Sequence, residues 1–292
     1  MGKHLWPEES VASCQLRVGY PERFFHSLSS IYILFFLLFS FCAALSGCSS
    51  LPSTVAVTES ESQGITDLFK KMVSQQSDCH CCIDANAVIS FSSIWDSGTI
   101  NGYLQAMTPS YLKFVGVNPF GMPLAILVTD GNRFDYVTIT EKKGYEGMVS
   151  GATFTKYAPE GFLPEHGFYW LIGRLYPGKI TITDVRKSEE GEGYWFELSY
   201  GPGARSLVLF DDQEVVLKRH IVINSQQEKI LDVSYDAYLA GDCPLPGEIT
   251  VRSLIHNSTL TIKLNDWLPD PMLSMKDFHY EIPDGFERVP VQ

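Results

Sequence analysis

The chain has 292 residues and a formal net charge of −12, which comes from 22 Lys and Arg residues against 34 Asp and Glu residues. An acidic chain without a basic run is a poor candidate for binding nucleic acid, and it gains no electrostatic attraction to an anionic lipid surface. Because 45% of the residues are hydrophobic and 19% are charged, the composition predicts a globular protein with a substantial apolar core.

Residues 1–47 have the layout of a secretory signal peptide. Arg17 and Arg23 give a positively charged stretch, Ile31–Leu45 is almost wholly apolar, and small residues precede Cys48. The apolar run has about 15 residues, fewer than the roughly 20 that a membrane-spanning helix needs. A cleaved signal is therefore favoured over the alternative, an uncleaved membrane anchor.

The tetrapeptide Leu45-Ser46-Gly47-Cys48 resembles the lipobox of bacterial lipoproteins. The resemblance implies cleavage before Cys48 and acyl chains on that cysteine as the membrane anchor. Because Ser49 and not aspartate follows, the resemblance also implies sorting to the outer membrane, with the domain facing the periplasm. Residues 48–63 are rich in Ser, Thr and Glu, a composition typical of a flexible tether.

The predicted domain, residues 64–292, begins with a helix and continues mainly with strands. The apolar residues of Gly64–Gln76 recur at helical spacing, and Pro164–Leu175 has the initial proline of a second, short helix. Between and after them, alternating segments such as Asp84–Trp95 and Thr153–Tyr157 predict antiparallel strands. A mostly β fold of about eleven strands favours an open half-barrel, with two or three helices lidding its concave face.

Four cysteines lie within the predicted domain: Cys79, Cys81, Cys82 and Cys243. In an oxidising compartment an even count favours two disulfides, and the sequence leaves their connectivity open. Because Cys81 and Cys82 are adjacent, they are not expected to pair with each other, so one bridge is expected to reach Cys243. The competing interpretation is a metal cluster formed with His80, although these ligands are more crowded than in ordinary zinc sites.

Three segments, in this order, resemble the LolA/LolB lipoprotein-localisation family. Tyr111–Leu127 resembles the family's strand, turn and strand, Phe168–Gly178 resembles its helix, and Leu260–Trp267 resembles its closing strand. The resemblance implies an eleven-stranded half-barrel lidded by helices. It also implies an outer-membrane receptor of the LolB kind, which takes acylated lipoproteins from a periplasmic carrier resembling LolA and inserts them in the outer membrane. Pro271–Gln292 extends beyond the family's closing strand.

Such a receptor needs an apolar cavity, because exposing each CH₂ of an acyl chain to water costs about 0.8 kcal/mol. The candidate cavity residues are large and apolar, and each is also a candidate for ordinary core. They are Phe91, Trp95, Phe114, Leu127, Phe134, Trp170, Phe196, Leu209, Ile223 and Tyr235.

The loop Pro119-Phe120-Gly121-Met122 corresponds to the LolB loop whose exposed leucine enters the membrane. The resemblance implies that Phe120 is the membrane-inserting residue here, and a large apolar side chain suits that role. Met122 adds a flexible apolar side chain. The alternative is a buried hairpin tip, in which proline and glycine serve only the turn.

Motifs for catalysis are absent from the sequence. It contains neither Gly-x-Ser-x-Gly nor His-Glu-x-x-His, and the pair Glu165-His166 at a helix start is more typical of a solvated or capping pair. The sequence therefore predicts no enzyme, no cofactor and no metal site. The alternative to a lipoprotein receptor is a lipid-anchored half-barrel that binds or scaffolds another envelope complex, since fold does not determine function.

Overall fold

The computed structural model describes residues 51–291 apart from 78, 80, 151–166, 179, 192, 200–204, 240, 242, 255, 256 and 270. The predicted signal peptide, the lipidation site Cys48, the predicted strand Thr153–Tyr157 and the pair Glu165-His166 lie outside the described residues. Within the described ranges, none of the helices is both long and apolar enough to span a membrane.

Within the described part of the chain, fifteen strands form one open sheet, antiparallel except where β15 joins β7. The order across the sheet is β1-β8-β9-β10-β11-β12-β13-β14-β2-β3-β4-β5-β6-β7-β15. The strands are β1 Thr54–Ala56, β2 Cys82–Ser92, β3 Ser97–Met107, β4 Tyr111–Val117, β5 Pro123–Thr129, β6 Arg133–Thr138, β7 Lys143–Met148, β8 Thr181–Ser188, β9 Tyr194–Ser199, β10 Arg205–Asp211, β11 Val216–Ile223, β12 Lys229–Asp236, β13 Glu248–Ser253, β14 Ser258–Pro269 and β15 Glu287–Val291.

The predicted fold class is confirmed: the protein is mostly β, and its sheet is large and not closed. The strand number is larger than the predicted eleven, and both edge strands come from segments that were not predicted as strands. Strand β1 lies in the predicted tether and pairs with β8. Strand β15 lies in the C-terminal extension.

Helix α1, Glu59–Ser77, packs its apolar stripe on the concave face of the sheet. It begins earlier than the predicted Gly64, because Thr58 caps it: the Glu61 backbone N–H donates to Thr58 Oγ1 at 3.3 Å. The tether prediction for residues 48–63 is therefore wrong from Thr54 onward. The Tyr194 hydroxyl on β9 donates to Glu61 Oε1 at 2.8 Å, which raises the pKa of Tyr194 to about 12.

Helix α2, Gly167–Leu171, is shorter than the predicted Pro164–Leu175. It ends just before Gly173, whose φ of +64° is a left-handed conformation that favours glycine. A Cβ at this position would also lie 2.5 Å from the Tyr238 hydroxyl oxygen. The buried Trp170 of α2 contacts His220 of β11 edge to face, with ring centroids 5.6 Å apart, so α2 covers the concave face as well.

Alternation along the strands divides the buried residues between the two faces of the sheet. The concave face holds the main core, in which Phe196, Phe210 and Tyr235 are fully buried. The convex face carries two smaller apolar clusters. One contains Trp195, Leu209, Ile221 and Ile223, and the other contains Ile126, Val128, Val137, Phe278 and Ile282.

The C-terminal extension is an integral part of the sheet and its convex surface. A short 3-10 helix, Met275–Phe278, begins at Ser274, whose backbone N–H donates to Asp277 Oδ2 at 2.7 Å. Phe278 and Ile282 are buried against the convex face, where each large side chain contributes roughly 1.5–3 kcal/mol. The extension therefore packs on the convex face and adds the edge strand β15.

Candidate functional site

An apolar cavity of about 180 Å³ opens on the concave face, where α2 begins beside the ends of β4, β5 and β6. Leu112 and Thr129 pair across β4 and β5, as do Phe114 and Leu127, so these four side chains share one face. The cavity is smaller than the roughly 300–1,000 Å³ of ordinary ligand pockets. Its lining is Ser110, Tyr111, Leu112, Leu127, Thr129, Gly131, Phe134, Val149, Gly167 and Phe168.

Three of the predicted cavity residues lie in or beside this cavity. Leu127 and Phe134 line it, and the buried Phe114 packs on the same face of the sheet. Sequence reasoning missed Leu112, although it lies two residues before Phe114 and therefore faces the same side of a strand. It also missed Phe168, which helix α2 brings from a distant part of the chain.

Three further predicted residues fill the concave face instead of lining a hollow. Trp170, Phe196 and Tyr235 are buried in the main core. The ring of Phe69 on α1 stacks on Phe196 with centroids 4.1 Å apart and meets Phe210 edge to face at 5.5 Å. This half of the concave face is closed by the protein's own side chains.

The predictions for Leu209 and Ile223 are wrong, because both side chains lie in the convex cluster with Trp195. The concave residue of β10 at this level is Phe210, one position further along. Alternation is regular here: Val208 and Phe210 face the main core, while Leu207 and Leu209 lie on the convex face. The prediction therefore chose the wrong phase, and a shift of one residue transfers a strand side chain to the opposite face.

The predictions for Phe91 and Trp95 also need correction. Phe91 lies near the end of β2 and is partly exposed. Trp95 is 92% exposed, in the turn between β2 and β3, and therefore lines no cavity. The turn forms around Ser93, whose Oγ accepts from the Trp95 and Asp96 backbone N–H groups at 3.3 and 3.1 Å. Strand β2 therefore ends at Ser92, before the predicted end at Trp95.

Small residues form the floor of the concave face between the cavity and the far end of the β4–β5 hairpin. Gly102 of β3 and Gly116 of β4 are directly paired. A Cβ on Gly102 would lie 2.8 Å from the Phe114 ring, and one on Gly116 would lie 2.1 Å from Ile100 Cδ1. The side chains of Phe114 and Ile100 therefore pack directly against the glycine backbone.

The predicted membrane loop is an ordered, exposed turn between β4 and β5. Asn118 Oδ1 accepts hydrogen bonds from the backbone N–H groups of Phe120 and Met122, at 2.9 and 3.0 Å, and Gly121 has a φ of +79°. Phe120 is 87% exposed, and Met122 is exposed as well. The side chain of Phe120 therefore points into solvent from a hydrogen-bonded turn. The alternative interpretation, a buried hairpin tip, is wrong.

The C-terminal end of α1 is held by a buried arginine and by a disulfide. Arg174 follows α2 and is buried; its Nη1 donates to the carbonyl oxygens of Gln76 and Cys79, at 3.1 and 2.5 Å. A cation at this end of a helix complements the helix dipole. Cys79 forms a disulfide with Cys243 across a sequence separation of 164 residues.

The other two cysteines of the predicted framework differ from each other in exposure. Cys81 is exposed, and Cys82 is buried at the start of β2. Their Sγ atoms lie 2.9 Å apart, farther than the approximately 2.05 Å of a disulfide bond. Of the two predicted bridges, the one that reaches Cys243 is therefore formed in the structure, and Cys81 and Cys82 do not form a second one.

Comparison with known proteins identifies the fold. No protein-family model and no curated protein matches this sequence. A DUF1329 family protein from Desulfovibrio piger has a TM-score of 0.52 and 11% identity, over 75% of this chain and 97% of that chain. A LolA superfamily protein from Nitrosomonas europaea has a TM-score of 0.50 and 7% identity, over 72% of this chain and 97% of that chain. The chain therefore has a LolA-like fold.

Proposed function

We propose that this chain is a lipid-anchored receptor of the LolB kind in the outer membrane. In this proposal, acyl chains on Cys48 hold the domain at the periplasmic surface of the membrane. The domain accepts the acyl chains of other lipoproteins from a periplasmic carrier resembling LolA and helps to insert them into the membrane. The process is transfer between binding sites, with no covalent chemistry and no cofactor.

The observation that carries this proposal is the apolar cavity on the concave face. Its lining is dominated by Leu112, Leu127, Phe134, Val149 and Phe168, and an apolar, water-poor lining is what an acyl chain requires. The cavity has room for part of one chain, so the described state corresponds to a closed receptor. Displacement of Phe114 from Gly102 would extend the apolar surface toward the exposed loop at Phe120.

The cavity is tested by filling it. Leu127→Trp places a larger side chain where the acyl chain would lie, so we expect uptake of an acylated peptide to fall at least about tenfold, a loss of roughly 1.4 kcal/mol. Uptake is measured by native mass spectrometry of the domain with the peptide. Leu207→Trp is the matched control, because Leu207 is partly buried on the convex face. Equal loss in both variants, or in neither, would contradict the assignment of the cavity.

The loop is tested by adding charge at its tip. Phe120→Glu changes an exposed side chain, so we expect a stability change within about 0.5 kcal/mol. Since a carboxylate does not enter an apolar membrane, we expect lipoproteins to be received but not inserted. The measurement is the fraction of newly made lipoproteins in the outer membrane of cells that carry the variant as their sole copy. Normal insertion would remove Phe120 from the proposed mechanism.

The packing under α1 favours a second candidate function. Phe69 and Phe196 stack closely and fill the part of the concave face under α1, as in a module whose sheet serves only as a scaffold. If the wild-type domain takes up no acylated peptide, the chain is better explained as a lipid-anchored scaffold of another envelope complex.

A further inference from the structure

Two consecutive cysteines at the start of β2 hold their thiols close together. Cys81 is exposed and Cys82 is buried, and their Sγ atoms lie 2.9 Å apart. A disulfide bond is about 2.05 Å long, so a small rotation of either side chain brings the two sulfurs to bonding distance. An exposed thiol beside a buried one is the usual arrangement of a redox-active cysteine and the cysteine that resolves it.

The fold fixes this pair on both sides. Two residues before Cys81, Cys79 is held by its disulfide with Cys243. On the other side, Cys82 pairs with Met107 of β3, and the Thr108 backbone N–H donates to the Cys81 carbonyl oxygen at 2.9 Å. The proximity of the thiols is therefore maintained by the surrounding structure and not only by their adjacency in the sequence.

The disulfide between Cys79 and Cys243 also indicates the chemical environment of the pair. Disulfides form and persist in oxidising compartments, where small disulfide compounds reach exposed thiols. Packing accounts for the buried Cys82, because cysteine behaves as a small apolar residue. It does not account for an exposed thiol at Cys81, so reactivity is the better explanation of that residue.

We propose that Cys81 and Cys82 form a reversible redox site, which the disulfide of a small thiol compound oxidises to a disulfide between the two adjacent residues. This redox chemistry goes beyond the proposed function. It depends neither on the lipid anchor nor on the acyl cavity.

The oxidation takes place in two exchange steps. The exposed Cys81 thiolate attacks one sulfur of the oxidant R–S–S–R, which forms a mixed disulfide and releases R–S⁻. The Cys82 thiolate then attacks Cys81 Sγ and releases the second R–S⁻. The two released thiolates take up the protons that the cysteines have lost. In total, the cysteine pair loses two electrons and one molecule of R–S–S–R is reduced to two molecules of R–SH.

The bond between Cys81 and Cys82 is expected to be the more easily reduced of the two disulfides. Consecutive Cα atoms are about 3.8 Å apart, closer than the roughly 4.4–6.8 Å of ordinary disulfides, and such a deviation makes the bond more reducible. Cys79 and Cys243 are far apart in sequence and carry no such constraint. A mild reductant should therefore open the adjacent pair and leave the long-range bond intact.

Oxidation should also affect the neighbouring end of the β2–β3 pair. The peptide group between Cys81 and Cys82 becomes part of the closed ring, and its carbonyl oxygen is the acceptor for the Thr108 N–H. Because the ring distorts this peptide group, we expect amide hydrogen exchange at Thr108 to accelerate about tenfold or more in the oxidised form. NMR measures this exchange, and an unchanged rate at Thr108 would overturn the coupling to the strand.

Oxidised glutathione is a suitable probe of the site. The full chain, purified from membranes, is equilibrated with oxidised and reduced glutathione at a series of ratios, and the remaining thiols are blocked with iodoacetamide. Mass spectrometry of the peptides then identifies the state of each cysteine. As the mixture becomes more oxidising, we expect Cys81 and Cys82 to change from doubly alkylated to unalkylated and lighter by two hydrogen atoms. We expect Cys79 and Cys243 to remain linked throughout.

Two matched variants separate the two steps, since each replaces one sulfur by oxygen. Cys82→Ser keeps the attacking thiol and removes the resolving one, so we expect the reaction to stop at a glutathione adduct on Cys81. Cys81→Ser removes the exposed thiol. We expect this variant to react with oxidised glutathione at least about tenfold more slowly than wild type, because a buried thiol is poorly reactive.

Several outcomes would overturn the redox site. These are double alkylation that persists at the most oxidising ratio, a glutathione adduct that accumulates on wild-type Cys81 without closing, and a Cys81→Ser variant that reacts as fast as wild type. A bond from Cys81 to Cys243 would also overturn it, in favour of exchange with the existing disulfide. Uptake of acylated peptide is measured separately, so its absence counts against the proposed function alone.

Discussion

Replacing Phe69 with alanine is expected to lower the free energy of unfolding by about 3–5 kcal/mol, the usual cost of truncating a buried phenylalanine. Phe69 packs α1 against the sheet: it is buried, stacks on Phe196 and meets Phe210 edge to face. The truncation leaves a cavity among rigid aromatic neighbours, which cannot collapse to fill it. Urea unfolding of the domain, followed by circular dichroism, measures the change.

The matched control is Phe120→Ala, which removes the same side chain from an exposed turn. We expect this variant to unfold within about 0.5 kcal/mol of wild type. A loss of less than about 1 kcal/mol in Phe69→Ala would show that α1 does not close the concave face in solution. We would then assign acyl binding to the whole concave surface instead of the small cavity at Leu127.

Phe69→Ala also carries information about function. The truncation opens a hollow on the same face as the cavity, lined by Phe196 and Phe210. If acyl chains enter by displacing α1, the truncated variant should take up acylated peptide more readily than wild type despite its lower stability. If the chains use only the cavity beside α2, uptake should be unchanged.

Sequence periodicity predicted elements well where the local pattern and the tertiary environment agree. The stripe of α1, which includes Ile65, Phe69 and Met72, follows helical spacing and is buried as expected. The first turn of α1 was mistaken for tether because it is polar and serine-rich. Its helical state depends on the cap at Thr58 and on the contact between Glu61 and Tyr194, and a composition count detects neither.

The candidate site was harder to predict, because a cavity depends on which face each strand residue occupies. For Leu127 and Phe134 the alternation alone was sufficient. At Leu209 and Ile223 the prediction failed, because both faces of β10 and β11 carry buried apolar residues and periodicity then does not indicate which face is the concave one. Trp95 was misplaced for a different reason: Ser93 and Asp96 form a turn that ends β2 before Trp95, a signal that serine and aspartate do carry in sequence.

The disulfide between Cys79 and Cys243 gives the second large expected effect. Replacing both cysteines with serine should lower the free energy of unfolding by about 2–5 kcal/mol, near the upper end because the bond closes a long loop. The bond spans 164 residues, a segment that contains most of the strands. Its loss therefore increases the conformational entropy of the unfolded chain over that segment. Changing both residues avoids leaving one reactive thiol beside Cys81 and Cys82.

The same bond holds the end of α1, so its removal should also have a local effect. Arg174 donates to the carbonyl oxygens of Gln76 and Cys79, and the second of these acceptors loses its covalent support when Cys79 is changed. We expect amide hydrogen exchange to accelerate in the last turn of α1 before it does elsewhere. The control is Cys81→Ser, which alters an exposed thiol outside the bridge. Equal stability of the double variant and this control would mean that Arg174 and the packing of Phe69 alone hold α1 on the sheet.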